Sequence, residues 1–364
     1  MNSTTALLVN VPTLFLIYIM IYFTQALSGK RQFYGISLNS DYFDKEQFKA
    51  LDKRFKILVT IGFIIFTIFT LVSIYGFEAY IFSSIGPILA FCLYQFAVYV
   101  YIHNNVKSLK KELALNICDL DLEKTKVIFD TEFINEKNRI IKKFSLLFVI
   151  PVIIVTLVGI YTLTQYNSMP DLIPSHWGPS GEADAFTDKS FVTVLTQVAM
   201  MVGLGFVIYI SSVASLKSRA KLSVNDIEES KKVHLYYLNK FGITFFILNL
   251  ATQVMFIAIL LATANASSIN TFILWPDIII IILVAIYQTY LYYKSPSKSK
   301  NAVYSVDDDD SLWILGSIYN NPNDPSLFVQ KRFGVGWTVN IGNTNGKIFF
   351  AIPFIIILLS LLFI

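Results

Sequence analysis

His176, Glu182 and Asp184 sit close together in one polar segment. An imidazole with two carboxylates is a donor set that suits zinc or manganese. One histidine with flexible carboxylates makes a thin site, and a structural role carries more weight. His176 and Trp177 then pack at the outer membrane boundary, where aromatic rings with polar edges settle, and Glu182, Asp184 and Asp188 face water. The sequence holds no HExxH, Gly-rich phosphate loop, GxSxG or Cys/His pairing, so no catalytic residue, metal or cofactor is assigned and an enzyme is disfavoured. Polar residues inside apolar stretches are the second set. Asn249 and Gln253 are four apart and share one helix face; interhelical hydrogen bonding is the ordinary reading and a solute path the sharper one. Asp277 is an ionisable group within an apolar helix, which is often functional. Trp275-Pro276-Asp277 equally resembles a helix start with the acid in its first turn.

The elements that position these residues are membrane helices. The 364 residues are 55% apolar and 15% charged, with mean hydropathy +0.59. About eight stretches approach the ~20 residues needed to cross a bilayer: 6–23, 57–76, 79–102, 144–163, 191–212, 239–262, 272–293 and 348–364. Their length argues for an all-α polytopic protein and against a β-barrel. The first stretch follows MNSTT, which has no Lys or Arg, and reads as a retained helix rather than a signal peptide. Of the 29 Lys and Arg residues, 28 fall in 24–56, 103–143, 213–240 and 294–347, and Lys189 alone falls on the other side. The positive-inside rule makes that crowded side cytoplasmic, so both termini and the polar loop 164–190 lie outside. No basic face with interleaved aromatics appears, which excludes a nucleic-acid partner. The bilayer is the expected partner, through basic clusters at Lys107, Lys110 and Lys111 and at Lys137, Arg139, Lys142 and Lys143. Cys92 and Cys118 suggest no disulfide.

The chain divides into a three-helix part (1–102), a cytoplasmic polar helical segment (103–143), a four-helix membrane unit (144–293), a cytoplasmic tail (294–347) and a final helix (348–364). Loop 164–190 contains Pro170, Pro174 and Pro179 with Gly178 and Gly181, residue types that shape a backbone rather than slacken it. In the tail, aromatic and β-branched residues alternate with Asn321-Pro322, Asp324-Pro325, Gly334, Gly336 and Asn343, which predicts a small β-rich module. Trp313, Tyr319, Phe328 and Trp337 are expected as its core. Asp307–Asp310 lacks the ligand spacing of a calcium loop and reads as a solvated linker.

Pro170-Asp171, Ile173-Pro174, His176-Trp177, Gly181 and Asp184 together form PD-x-IP-x-HW-x-x-x-G-x-x-D. This signature resembles that of a family of bacterial membrane proteins of unknown function related to the SdpI-type immunity proteins. The tail W-x-x-G-x-x-Y-x-N-P-x-D-P resembles a module of unknown function appended to such proteins in low-GC Gram-positive bacteria. The resemblance implies a multi-pass cell-membrane protein acting in immunity or envelope stress. Its outer loop residues Pro170, Asp171, Pro174, His176, Trp177, Gly181, Glu182 and Asp184 would engage a secreted peptide, and a cytoplasmic regulator would read the result. Two other classes stay open. A small-solute transporter or flippase-like protein would use Asn249, Gln253 and Asp277, and a scaffold subunit of a membrane complex would reveal a co-purifying partner.

Overall fold

The computed structural model describes residues 3–28, 32–77, 80–113, 130–218, 227–295 and 310–361. Cys118 and Asp307–Asp309 therefore lie outside the described residues. In chain order the helices are α1 (Ser3–Tyr22), α2 (Thr24–Leu27), α3 (Glu46–Tyr75), α4 (Tyr80–Glu112), α5 (Thr131–Thr164), α6 (Phe191–Lys217), α7 (Ile227–Ala264), α8 (Thr271–Lys294) and α9 (Thr344–Leu361). The strands are β1 (Gln32–Phe33), β2 (Ile36–Ser37), β3 (Leu172–Trp177), β4 (Ala183–Asp188), β5 (Trp313–Ile314), β6 (Ile318–Tyr319), β7 (Phe328–Gln330) and β8 (Trp337–Val339). They pair in that order as two-stranded sheets. Among the described residues six helices are long and apolar enough to cross a membrane, starting with Glu46–Tyr75 and ending with Thr271–Lys294. Ala6–Tyr22 is apolar but shorter. The chain is thus a mostly helical, multi-pass membrane protein with small strand pairs toward its C-terminus.

Local chemistry starts several of these helices. The Asp130 carboxylate accepts from the Phe133 N–H, Ser190 Oγ from Thr193 and Asn270 Oδ1 from Phe272, each satisfying an amide that no helical carbonyl can reach. The Asn270 cap agrees with the apolar stretch expected from 272 and rules out the alternative helix start at Trp275-Pro276-Asp277. The helix opens before Trp275, Pro276 lies inside it, and Asp277 sits in the second turn.

The chain clusters into two units. The first takes residues 1–126, 297–321 and 330–338. Here α1 packs on α3 and α4, and α3 on α4. Tyr18 stacks on Phe63 at 4.7 Å, and its hydroxyl meets that of Thr60 at 3.0 Å. Beside this bundle stand two hairpins. Tyr34 and Gly35 turn the first with φ of +47° and +80°, and Leu315 and Gly316 turn the second with +50° and +64°. Such left-handed pairs match the twist of a tight hairpin. The two turns meet back to back: a Cβ on Gly35 would lie 2.8 Å from the Gly316 Cα. Tyr99 donates to the Leu315 carbonyl and His103 to that of Tyr34, both at 2.8 Å. The Phe333 ring stacks on Tyr99 at 4.4 Å and on Tyr34 at 5.4 Å.

Asp310 locks this arrangement. Its carboxylate takes Arg332 at 2.5 Å, Lys110 at 2.7 Å and the Ser37 N–H at 3.1 Å. Arg332, 5% exposed, also donates to the Gly35 carbonyl. Burial pushes the Asp310 carboxyl up, but the Lys110 hydrogen bond and the Arg332 charge more than reverse this and hold it below the usual carboxylate range. A solvated linker is therefore the wrong description at Asp310, because two cations and a backbone amide converge on it.

The second unit takes residues 127–296, 322–329 and 339–364. In it α7 packs on α5, α6 and α8, and α5 also packs on α6. Glycines set these approaches: a Cβ on Gly242 would lie 2.3 Å from the Phe144 ring, and one on Gly159 2.8 Å from Val198. At one end Lys231 bridges Asp130 and Glu228. The Lys231 hydrogen bond, followed by that from the Phe133 amide, holds the Asp130 carboxyl below its ordinary range. The four tail aromatics do not share one core. Trp313 packs on Tyr319 at 5.0 Å within the first unit, whereas Phe328 packs edge-on against Phe349 of α9 at 5.2 Å in the second. Trp337 is half-buried.

Candidate functional site

The polar segment after α5 folds as a hairpin. β3 and β4 pair antiparallel from Leu172↔Asp188 to Trp177↔Ala183, with register shifts on either side of His176. Ser175 is the extra residue on one strand and Asp184 on the other. Pro174, which lacks an amide hydrogen, sits beside the first irregularity, where a missing ladder bond costs least. Bulges re-aim side chains, and here the outcome is a contact. His176 Nδ1 lies 2.5 Å from Asp184 Oδ1. The carboxylate fixes the Nδ1–H tautomer, leaving Nε2 as the acceptor of the neutral ring. The pair is open to solvent, with side chains 68% and 49% exposed.

The hairpin is tied at both ends. At its base Lys189 N–H donates to the Asp171 carbonyl and Lys189 Nζ to that of Met169. Met169 and Ile173 are buried with Val194 and Ala264, so α6 and α7 supply the floor. Gln197 Nε2 on α6 reaches the Pro174 carbonyl at 3.3 Å. At the tip, Trp177 Nε1 donates to the Ser267 carbonyl at 3.0 Å, and the Ile269 N–H donates to the Gly181 carbonyl at 2.7 Å. Both bonds go to the loop between α7 and α8. Gly181 has φ of +78°, and a Cβ there would lie 2.0 Å from the Ile269 carbonyl oxygen. Only glycine fits both demands.

The eight candidate site residues of the loop thus divide by role. Trp177, Gly181 and Pro174 hold the hairpin on the helices. Pro170, Asp171, His176, Glu182 and Asp184 are exposed, as is Asp188. Among the described residues no group of three His, Cys, Asp or Glu side chains is placed to hold a metal ion. The strands themselves were missed by sequence reading, since prolines and glycines masked the alternation. So were the anchors Ser267 and Ile269, which lie some ninety residues along the chain.

Asn249 and Gln253 are fully buried on α7, and their side-chain amides find no hydrogen-bond partner among the described residues. Gly205 of α6 makes room for Gln253, since a Cβ there would lie 2.8 Å from Oε1. Asp277 is 6% exposed, and its Oδ2 has no hydrogen-bond partner among the described residues. His103 and His234 are not part of the hairpin: His103 bonds Tyr34, and His234 stands edge-on to Phe133.

Two family comparisons match segments of the chain. A domain of unknown function (DUF1648) matches residues 153–202, which run from within α5 through the hairpin into α6. A family of unknown function (DUF5808) matches residues 322–344, from Pro322 to the start of α9. No curated protein and no solved structure matches the chain. The hairpin and its two flanking helices are therefore the part of this molecule that is similar to a known domain, and the tail carries the second such segment.

Proposed function

We propose that this chain is a non-enzymatic cell-membrane protein of a Gram-positive bacterium that responds to a secreted, membrane-active peptide, in immunity or envelope stress. In this reading eight helices cross the membrane, both termini and the hairpin are outside, and the tail passes the state to a cytoplasmic regulator. One observation supports it above the rest. The hairpin is anchored on α6, on α7 and on the loop between α7 and α8, while His176, Glu182 and Asp184 are presented to solvent from bulged, preorganised backbone. A segment that merely connected α5 to α6 would need neither bulges nor anchors, and a preset surface binds with less ordering cost.

The test is complementation. A strain lacking the gene is given the wild-type chain or a His176→Ala/Trp177→Ala double variant, and depolarisation is recorded while membrane-active peptides, including the strain's own, are titrated. Protection by wild type and not by the variant, at equal protein level, supports the reading. An unchanged deletion strain across the panel removes it.

The buried Asn249 and Gln253 amides favour a second reading, transport of a small polar solute through the second unit. Among the described residues their polar atoms lack partners, in an apolar setting where that is costly. If Asp277→Asn and Gln253→Ala abolish uptake or efflux while the hairpin stays intact, transport replaces immunity.

A further inference from the structure

Between the C-terminal end of α1 and the first half of α3 runs an open cleft of about 430 Å³. We propose that it holds the phosphodiester headgroup of an anionic phospholipid, with the lipid's acyl chain laid along α3. The proposal requires that α3 spans a membrane, and is independent of any peptide response.

The cleft changes character along one helix face. Lys53, Lys56, Ile57, Thr60 and Ile61 recur at spacings of three and four, so they stack on a single side of α3. Lys53 and Lys56 form the polar end. Lys56 is held upright by Asp52 at 2.7 Å, and its ammonium lies 5.6 Å from the centre of the Tyr22 ring on α1. Asp52 is also engaged by the Tyr34 hydroxyl at 2.9 Å. Lys53 is exposed and makes no ion pair among the described residues, so the lining keeps a net positive charge. One turn further, Ile57 and Ile61 are 48% and 44% exposed and form an aliphatic wall. That wall runs on into Ile64, Ile65 and Ile68, also exposed, which is the face hydrocarbon must cover.

The dimensions suit a lipid. Eight residues of helix from Lys53 to Ile61 rise roughly 12 Å, enough to pass the interfacial layer and enter the hydrocarbon. A soluble anion would use only the lysine end. A zwitterionic choline lipid would set its own ammonium against Lys53, whereas an anionic glycerol headgroup brings only the phosphate. Basic pockets between helices at the membrane boundary recognise such headgroups.

The full-length chain is reconstituted in phosphatidylcholine nanodiscs doped with phosphatidylglycerol, and the anionic lipid retained per chain after detergent exchange is counted by native mass spectrometry. Wild type is expected to retain it. Lys53→Gln/Lys56→Gln should weaken retention roughly fivefold for each lysine removed. Ile61→Trp keeps both charges and blocks the aliphatic wall, so it should also lose the lipid. Lys45→Gln/Lys49→Gln removes equal charge from exposed positions at the start of α3, outside the cleft lining, and should retain it. Equal loss in that control would show unspecific charge attraction and overturn the proposal. Retention by Ile61→Trp, or displacement of the lipid by soluble glycerophosphoglycerol, would make this an anion site and overturn it as well.

Discussion

At Gly181 two constraints coincide: a left-handed backbone and a carbonyl oxygen 2.0 Å from where a Cβ would stand. Gly181→Ala should therefore break the Ile269 bond as well as incur the roughly 1–2 kcal/mol of a left-handed non-glycine residue. The expected result is local. Amide exchange across residues 172–188 accelerates while helix amides keep their protection. A chain whose hairpin exchange is unchanged would show the tip anchor to be dispensable. Asp310 carries a different prediction. Asp310→Asn removes the carboxylate that buried Arg332 and Lys110 share, and removing one partner of a buried pair costs about 3 kcal/mol or more. Its pH dependence follows from the lowered carboxyl. The folded group titrates below the unfolded value of about 3.9, so its stabilisation is complete above that value and is lost as pH falls through the folded one. The share of wild-type thermal stability that this carboxylate supplies should be lost in that acid window. The Asn variant should lack this contribution.

Helices were legible in this sequence because twenty-residue apolar runs leave the backbone little choice. Their ends were less so. Trp275-Pro276-Asp277 looks like a start, but Asn270 captures the Phe272 amide earlier and Pro276 is accommodated within the helix. The candidate site was half legible. Residue types marked the segment as shaped, yet the bulges that bring Asp184 to His176 are a register property that composition does not encode. The partners Ser267, Ile269 and Gln197 lie on other elements and have no local signal. Close helix packing is similarly hidden in single glycines. Gly242→Ala gains about 1 kcal/mol of helix propensity but places a methyl 2.3 Å from the Phe144 ring. Overpacking of this kind costs about 1–3 kcal/mol. The clash should win, seen as a lower unfolding midpoint in detergent; a raised midpoint would mean that α5 and α7 part easily.

For the molecule as a whole, the proposed sidedness makes a sharp prediction. In a chain whose native cysteines are replaced by serine, Ser180→Cys at the hairpin tip should react with an impermeant maleimide on intact cells. Ser108→Cys near the end of α4 should react only after permeabilisation. The opposite pattern inverts the topology. The back-to-back turns of the first unit have a further consequence, one of timing. Its hydrogen bonds join residues 297 and 306 positions apart, Arg332 to Gly35 and Gly334 to Ser28. A ribosome making this protein releases α1, α3 and α4 long before their closing strands exist. Loop closure over such separations is slow, so the early hairpin around Tyr34 and Gly35 must wait through the synthesis of residues 127–296, the larger part of the second unit. Nascent chains stalled before residue 313 should leave that hairpin open to protease and to chaperones, and the codons for residues 313–334 then decide when the first helices mature.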